Sequence, residues 1–201
     1  MTTVITLPTS PRYNAGAPAL VSFGADLSGP LGGSTTRVLR MGSRFSLDVT
    51  YPAMSYSDGR KFIAAMLGAE GSPVAIEFPQ RGFKVGNPGV TVVNGAGQAG
   101  STLNIRGATV GYVFSAGQFF SMVSGGRRYV HSVLADTVAD GTGHAALPLS
   151  PMLRISPADG DTLEFLTPTL EGFIQLQSRK IPWTIELVRR VGVKFTVLED
   201  R

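Results

Sequence analysis

Glycine or proline interrupts this chain every few residues, 25 of the first and 13 of the second in 201 positions, so long helices have little room to form. In a helix interior glycine costs about 1 kcal/mol and proline about 3 kcal/mol relative to alanine. Both are at home in the turns between short strands. Between the interruptions, apolar and polar residues alternate, the period of a strand with one buried face. A mainly β chain is therefore expected. The run Arg44-Phe45-Ser46-Leu47-Asp48-Val49-Thr50-Tyr51 is the clearest case. It sets Phe45, Leu47, Val49 and Tyr51 on one face, with Arg44, Ser46, Asp48 and Thr50 on a face that should meet water.

One helix is predicted, over residues 58–67. Ser57 can cap it, and Asp58 complements the positive end of its dipole. Phe62, Ile63, Met66 and Leu67 then share a face, and Gly68 can end it in a left-handed conformation. So short a helix needs a surface to lie on, and the sheet holding the 44–51 strand is the expected one.

Val74 to Phe78 reads as a strand stopped by Pro79, and residues 79–89, with Gly82, Gly86, Pro88 and Gly89, have the composition of a linker. Beyond it the strand-like pieces shorten: 90–93, 102–106, 118–123, 128–133, 145–147 and 163–165. Gly125-Gly126 and Asp140-Gly141-Thr142-Gly143 are hairpin signals among them. These pieces predict a barrel of five or six strands. Longer strands return between Phe173 and Leu198, where Trp183, Ile185 and Leu187 alternate and Val193 to Val197 forms the last run. They could close the sheet begun near residue 36. The expected architecture is a β-sandwich or split-barrel domain, 1–88 plus 166–201, with one short helix, interrupted by a small inserted barrel over 89–165.

Composition narrows the function classes. Charged residues make up 16% of the chain, against about 25% in an average domain. With so little charge to cover it, part of the surface is expected to rest against a partner. The net charge is +4, but the densest basic clusters are only pairs: Arg127-Arg128, Arg179-Lys180 and Arg189-Arg190. A nucleic-acid binder would show a basic stripe with aromatics between, so no specific nucleic-acid site is expected. The absence of cysteine excludes disulfides and thiolate metal sites. Met1 to Pro11 lacks the basic start and apolar run of a secretion signal, and no apolar stretch is long enough to span a membrane. A soluble protein made in a cytoplasm is expected.

Several motifs invite a chemical reading. Gly95-Ala96-Gly97-Gln98-Ala99-Gly100 matches the dinucleotide-binding pattern, which requires a helix immediately afterwards to hold the pyrophosphate. Here Ser101 to Gly107 reads as a strand, and Phe119, Phe120 and Ser121 stand where an acidic residue should meet the ribose. The pattern is read as a flexible loop. His131 and His144 are the only histidines. Ser132, Asp136 and Asp140 lie near them in sequence, but no strained nucleophile turn accompanies them. His131 is expected to be packed or hydrogen-bonded in a strand, and His144 to be solvated beside a turn. Asp159, Asp161, Glu164 and Glu171 cluster in sequence, but too loosely for a calcium loop. No catalytic, cofactor-binding or metal-ligating residue is assigned, and no cofactor. Phe114, Phe119, Phe120 and Tyr129 are expected mainly as barrel core. The other reading makes Phe114, Phe119 and Tyr129 a stacking face for a host glycan.

Five segments carry a family resemblance: Asn94-Gly95-Ala96-Gly97-Gln98, Gly117-Gln118-Phe119-Phe120-Ser121, Gly125-Gly126-Arg127-Arg128-Tyr129, Pro151-Met152-Leu153-Arg154 and Tyr51-Pro52-Ala53-Met54 with Asp58-Gly59-Arg60. Together they resemble segments of tail-module proteins of siphophages and proteobacterial prophages, over most of residues 36–170. The plan is similar to that of distal tail proteins, in which a β domain with one helix carries a second β domain, in some a small barrel of the oligonucleotide- or oligosaccharide-binding (OB) type. The resemblance implies a non-enzymatic virion protein of the tail tip, a homohexameric ring joining the tail tube protein to the hub or baseplate. DNA must pass through such a ring, so tight DNA binding by its wall would be counterproductive. The alternative is a carbohydrate-binding module contacting the host surface.

Overall fold

In the computed structural model, which describes residues 3–29, 32–175, 181, 183–186 and 190–200, the alternating runs form the strands of a mainly β protein with one helix. In chain order they begin with β1 (Ile5–Thr6), β2 (Ala15–Val21), β3 (Ala25–Leu27), β4 (Thr36–Val38), β5 (Arg44–Thr50), β6 (Met54–Ser55), helix α1 (Tyr56–Gly68) and β7 (Val74–Glu77). Next come β8 (Gly89–Val93), β9 (Thr102–Ala108), β10 (Val113–Phe114), β11 (Phe119–Ser124), β12 (Arg127–Val133), β13 (Thr137–Val138), β14 (Ala145–Ser150) and β15 (Thr162–Glu164). The chain ends with β16 (Thr169–Gln175), β17 (Trp183–Glu186) and β18 (Arg190–Glu199). The predicted Leu187 and the basic residues Arg179, Lys180 and Arg189 lie outside the described residues.

The chain divides into two units: residues 1–19, 45–79 and 167–200 form one, and 20–44 with 80–166 form the other. The second unit therefore takes in the expected linker. The reason is local: Gln80 donates from Nε2 to Phe165 O (2.9 Å) and accepts from Phe119 N (2.9 Å). Val85 packs on the barrel core and accepts from Tyr112 OH at 2.6 Å. A segment of linker composition is thus tied down by its own side chains.

The first unit is a sheet in the order β1-β7-β16-β18-β5-β2. Residues 36–38 are not part of it, contrary to expectation, because β4 pairs with β3 in a ribbon of its own. β5 keeps the predicted alternation, with Phe45, Leu47 and Val49 buried. Its partner β18, ten residues long, changes neighbours along its length. Arg190 and Val191 pair with β6 and Arg190 to Val193 with β17, while Lys194 to Leu198 pair with β5. One strand in two sheets folds the unit around a single aromatic cluster, in which Tyr51 lies 4.4 Å from Phe62 and 6.0 Å from Phe195 between ring centroids.

Helix α1 begins earlier than predicted. Ser55, not Ser57, is its cap: Ser55 Oγ accepts from Asp58 N (3.2 Å) and donates to Asp58 Oδ2 (2.6 Å). Gly68 does not turn left-handed, because Ala69 N still bonds Ala65 O at 3.0 Å and carries the helical pattern past it. The buried stripe is Gly59, Phe62, Met66 and Ala69, while Leu67 faces out at 48% exposure. Gly59 is in the stripe because the helix lies close on β18: a Cβ there would sit 2.6 Å from Val191 Cβ.

The second unit holds a closed six-stranded barrel, β11-β12-β14-β9-β8-β15, with β15 returning to pair β11. Every predicted piece supplies one of these strands. Gly125 and Gly126, at φ +58° and +77°, make the β11–β12 turn whose backbone twist suits a two-residue hairpin. Phe114, Phe120, Met122, Leu103, Ile105, Leu147 and Leu149 are almost wholly buried and fill the barrel interior. The ribbon β10–β13, not foreseen from the sequence, pairs Val113 with Val138.

Strands β7 and β16 are antiparallel neighbours, with Glu77 opposite Thr169, and Phe78 N donates to Pro168 O at 2.7 Å. The chain thus leaves the first unit and returns to it on adjacent strands. Residues 80–166 occupy the place of a hairpin loop in that unit's topology.

Candidate functional site

The loop that matches the dinucleotide pattern is pinned, not flexible as expected. Gln98 Nε2 donates to the carbonyls of Asn94, Gly95 and Asn104 at 3.0–3.1 Å, and its Oε1 accepts from Asn104 N at 2.6 Å. Asp159 accepts from Gly95 N (2.8 Å) and pairs with both terminal nitrogens of Arg106, one at 3.1 Å. The Arg106 guanidinium, with help from Gly95 N, holds the Asp159 carboxyl down to about 2. The loop joins β8 to β9 with no helix after it, so no row of free amides waits for a phosphate.

The histidines are separated by environment. His131 is fully buried, and its Nδ1 lies 2.9 Å from Pro151 O, a carbonyl that can only accept. Nδ1 therefore carries the proton, leaving Nε2 buried with no hydrogen-bond partner. Burial pushes the imidazole down to about 4; the Pro151 bond opposes this, and the charge of Arg154 adds to it. His144 sits in the exposed turn, its Nδ1 2.6 Å from Thr142 Oγ1. Asp140 Oδ1 gathers His144 N, Thr142 Oγ1 and Thr142 N at 2.7–2.9 Å, which lowers its carboxyl to about 2. These bonds build a turn. The other acids are likewise engaged: Glu164 pairs with Arg128 and accepts from Ser121 Oγ (3.4 Å), and Asp161 Oδ2 accepts from Ala158 N (2.8 Å). Glu171 belongs to the first unit. Among the described residues, no group of three or more His, Asp or Glu is placed to hold a metal ion.

The aromatic residues fall on the core side of the two readings. Phe114 is fully buried between Tyr112 and Phe165, with ring centroids at 4.8 and 5.0 Å. Tyr129 is also buried, with the Arg154 guanidinium 5.2 Å from its ring centroid. Neither offers a face to a sugar. Phe119 is half-buried, and its amide is spent on Gln80.

Two surface features remain. The first is a groove of about 250 Å³ in the first unit, walled by Leu7, Tyr13, Tyr51 and Ile76 with threonines at its rim. Its one ion pair, Arg12 with Glu77 at 3.5 Å, is largely exposed, and Tyr13 OH donates to Glu77 O at 2.9 Å. Burial raises the Tyr51 hydroxyl well above its ordinary range. Apolar walls with satisfied polar groups seat a side chain better than they drive a reaction. The second is the apolar surface of the segment 20–44, where Leu20, Phe23, Leu27, Leu39 and Met41 are 41–66% exposed. Residue periodicity at 25–38 is too short to have revealed it in the sequence. No helix among the described residues is long and apolar enough to cross a membrane. No protein-family model matches the chain, and no curated protein matches its sequence.

Proposed function

We propose that this chain is a structural protein of a phage tail tip, whose first unit forms a ring, hexameric in the resembled family, between the tail tube protein and the hub or baseplate. The observation that carries the reading is the interrupted β plan: a sheet with one helix, left at β7 and rejoined at the adjacent β16, with a closed barrel between. This is the plan of the distal tail proteins that the sequence resembles. A low charged share of 16% and clustered exposed apolar side chains support a surface made for neighbours. In this reading the chain is made in the host cytoplasm and ends in the virion, and it acts by fixing geometry rather than by chemistry. Light scattering across a concentration series is the test. A species near six chains of 21.2 kDa is expected. A strict monomer that also fails to assemble on tube or hub protein would refute the ring.

A further inference from the structure

We propose that the hairpin β3–β4 is a subunit-contact arm, laying its apolar face into the β1–β7 groove of a second copy of this chain. The inference deepens the ring reading and rests on it. In the hairpin, Ala25 lies opposite Val38 and Asp26 opposite Arg37. Cross-strand partners share a face, so Ala25, Leu27 and Val38 line one side and Asp26 and Arg37 the other. Arg37 grips Asp26 through two bonds of 2.7 and 3.0 Å, which fixes the polar face. The apolar face has no third strand beside it and no sheet over it: Leu27 is 60% and Val38 39% exposed. A two-stranded hairpin is marginal in water by itself, and this one gains stability when its apolar face is covered.

The uncovered area fits a protein partner. Leu20, Phe23, Leu27, Val38, Leu39 and Met41 together leave bare the equivalent of about three large side chains, on the order of 500 Å². One side of a standard interface buries roughly 800 Å², a little over half of it apolar. The arm alone therefore supplies the apolar share of one such side. A second copy is the occupant because the chain also carries the receiving surface. The arm is rooted between β2 and β5 at one end of the sheet order, and the groove lies at the other end, against β1, β7 and β16. Joining two different surfaces head to tail produces a ring when the rotation closes.

The chain has no cysteine, so introduced ones are unique. The test pairs Leu39→Cys on the arm with Thr9→Cys on the groove, bridged by a short bismaleimide, beside light scattering of wild type and of Leu27→Ser/Leu39→Ser/Met41→Ser. The double-cysteine chain should give a ladder of multimers, neither single variant should, and the triple variant should fall to the 21.2 kDa monomer with unchanged circular dichroism and Trp183 emission. A multimeric wild type with no ladder and a multimeric triple variant would overturn the arm and leave the ring standing. A monomeric wild type with no ladder would overturn both in free solution. A triple variant that keeps its mass but no longer binds tube or hub protein would assign the arm to that partner and overturn the second copy. If the triple variant misfolds, Leu39→Ser alone should still weaken association at least tenfold, and no change would count against the arm.

Discussion

Lowering the pH from about 7.5 to about 4.5 should weaken the barrel through one side chain, His131. Its Nδ1–H is committed to Pro151 O, and its Nε2 faces buried surroundings with no acceptor. A proton added at Nε2 would bring a charge and an unmatched N–H into the interior. The unfolded chain binds that proton at the model value of 6.5 and the folded one only at about 4. Between those values the unfolded state holds more protons, so stability is full above the upper one, falls as the pH drops, and levels off below the lower one. Each pH unit in the window is worth ~1.4 kcal/mol, so ~2–3 kcal/mol is lost by about pH 4.5, a shift of about 1–2 M in the urea midpoint. Carboxylates titrate nearby, so the comparison is with His131→Phe, which keeps a ring next to Phe120 (centroids 5.7 Å apart) and cannot take a proton. That variant should be weaker at every pH, since Pro151 O loses its donor, by about 1–3 kcal/mol. Its midpoint should lack the histidine share of the pH slope. Urea unfolding followed by the amide resonances of β11 and β12 reads the barrel alone. Equal slopes for the two proteins would refute the reasoning, because they would mean that an acceptor or water reaches Nε2.

Three other perturbations test the construction. Gly59→Ala should raise intrinsic helix preference by about 1 kcal/mol yet lose about 1–3 kcal/mol to overpacking, because the new Cβ would meet Val191 Cβ at 2.6 Å. Thermal unfolding should show a net loss, recovered in part by adding Val191→Ala. Gln98→Ala removes four hydrogen bonds from the β8–β9 loop and should cost about 1–3 kcal/mol, with faster amide hydrogen exchange over residues 94–104. Replacing residues 80–166 by a short glycine turn should leave the first unit folded, since β7 and β16 are already neighbours; a cooperative transition in Trp183 emission checks this.

The sequence by itself determined what depends on a few residues at a time. The 44–50 alternation, the Gly125-Gly126 turn, the one helix and all six barrel strands follow from local period and turn chemistry, because side-chain direction repeats within a strand or helix whatever lies across from it. Tertiary structure decided which segments meet. That Tyr129 lies under Arg154 and Phe114 against Phe165, instead of on a stacking face, depends on residues 25 and 51 positions away. The buried Nε2 of His131 likewise follows from the approach of Pro151, and the pinning of the glycine-rich loop from Gln98 and a distant Asp159. Residues 36–38 had the pattern of a sheet strand but joined a free ribbon, because a pattern marks which face is apolar and says nothing of what will cover it. Burial is a property of pairs of surfaces, and one strand of residues carries only half of each pair.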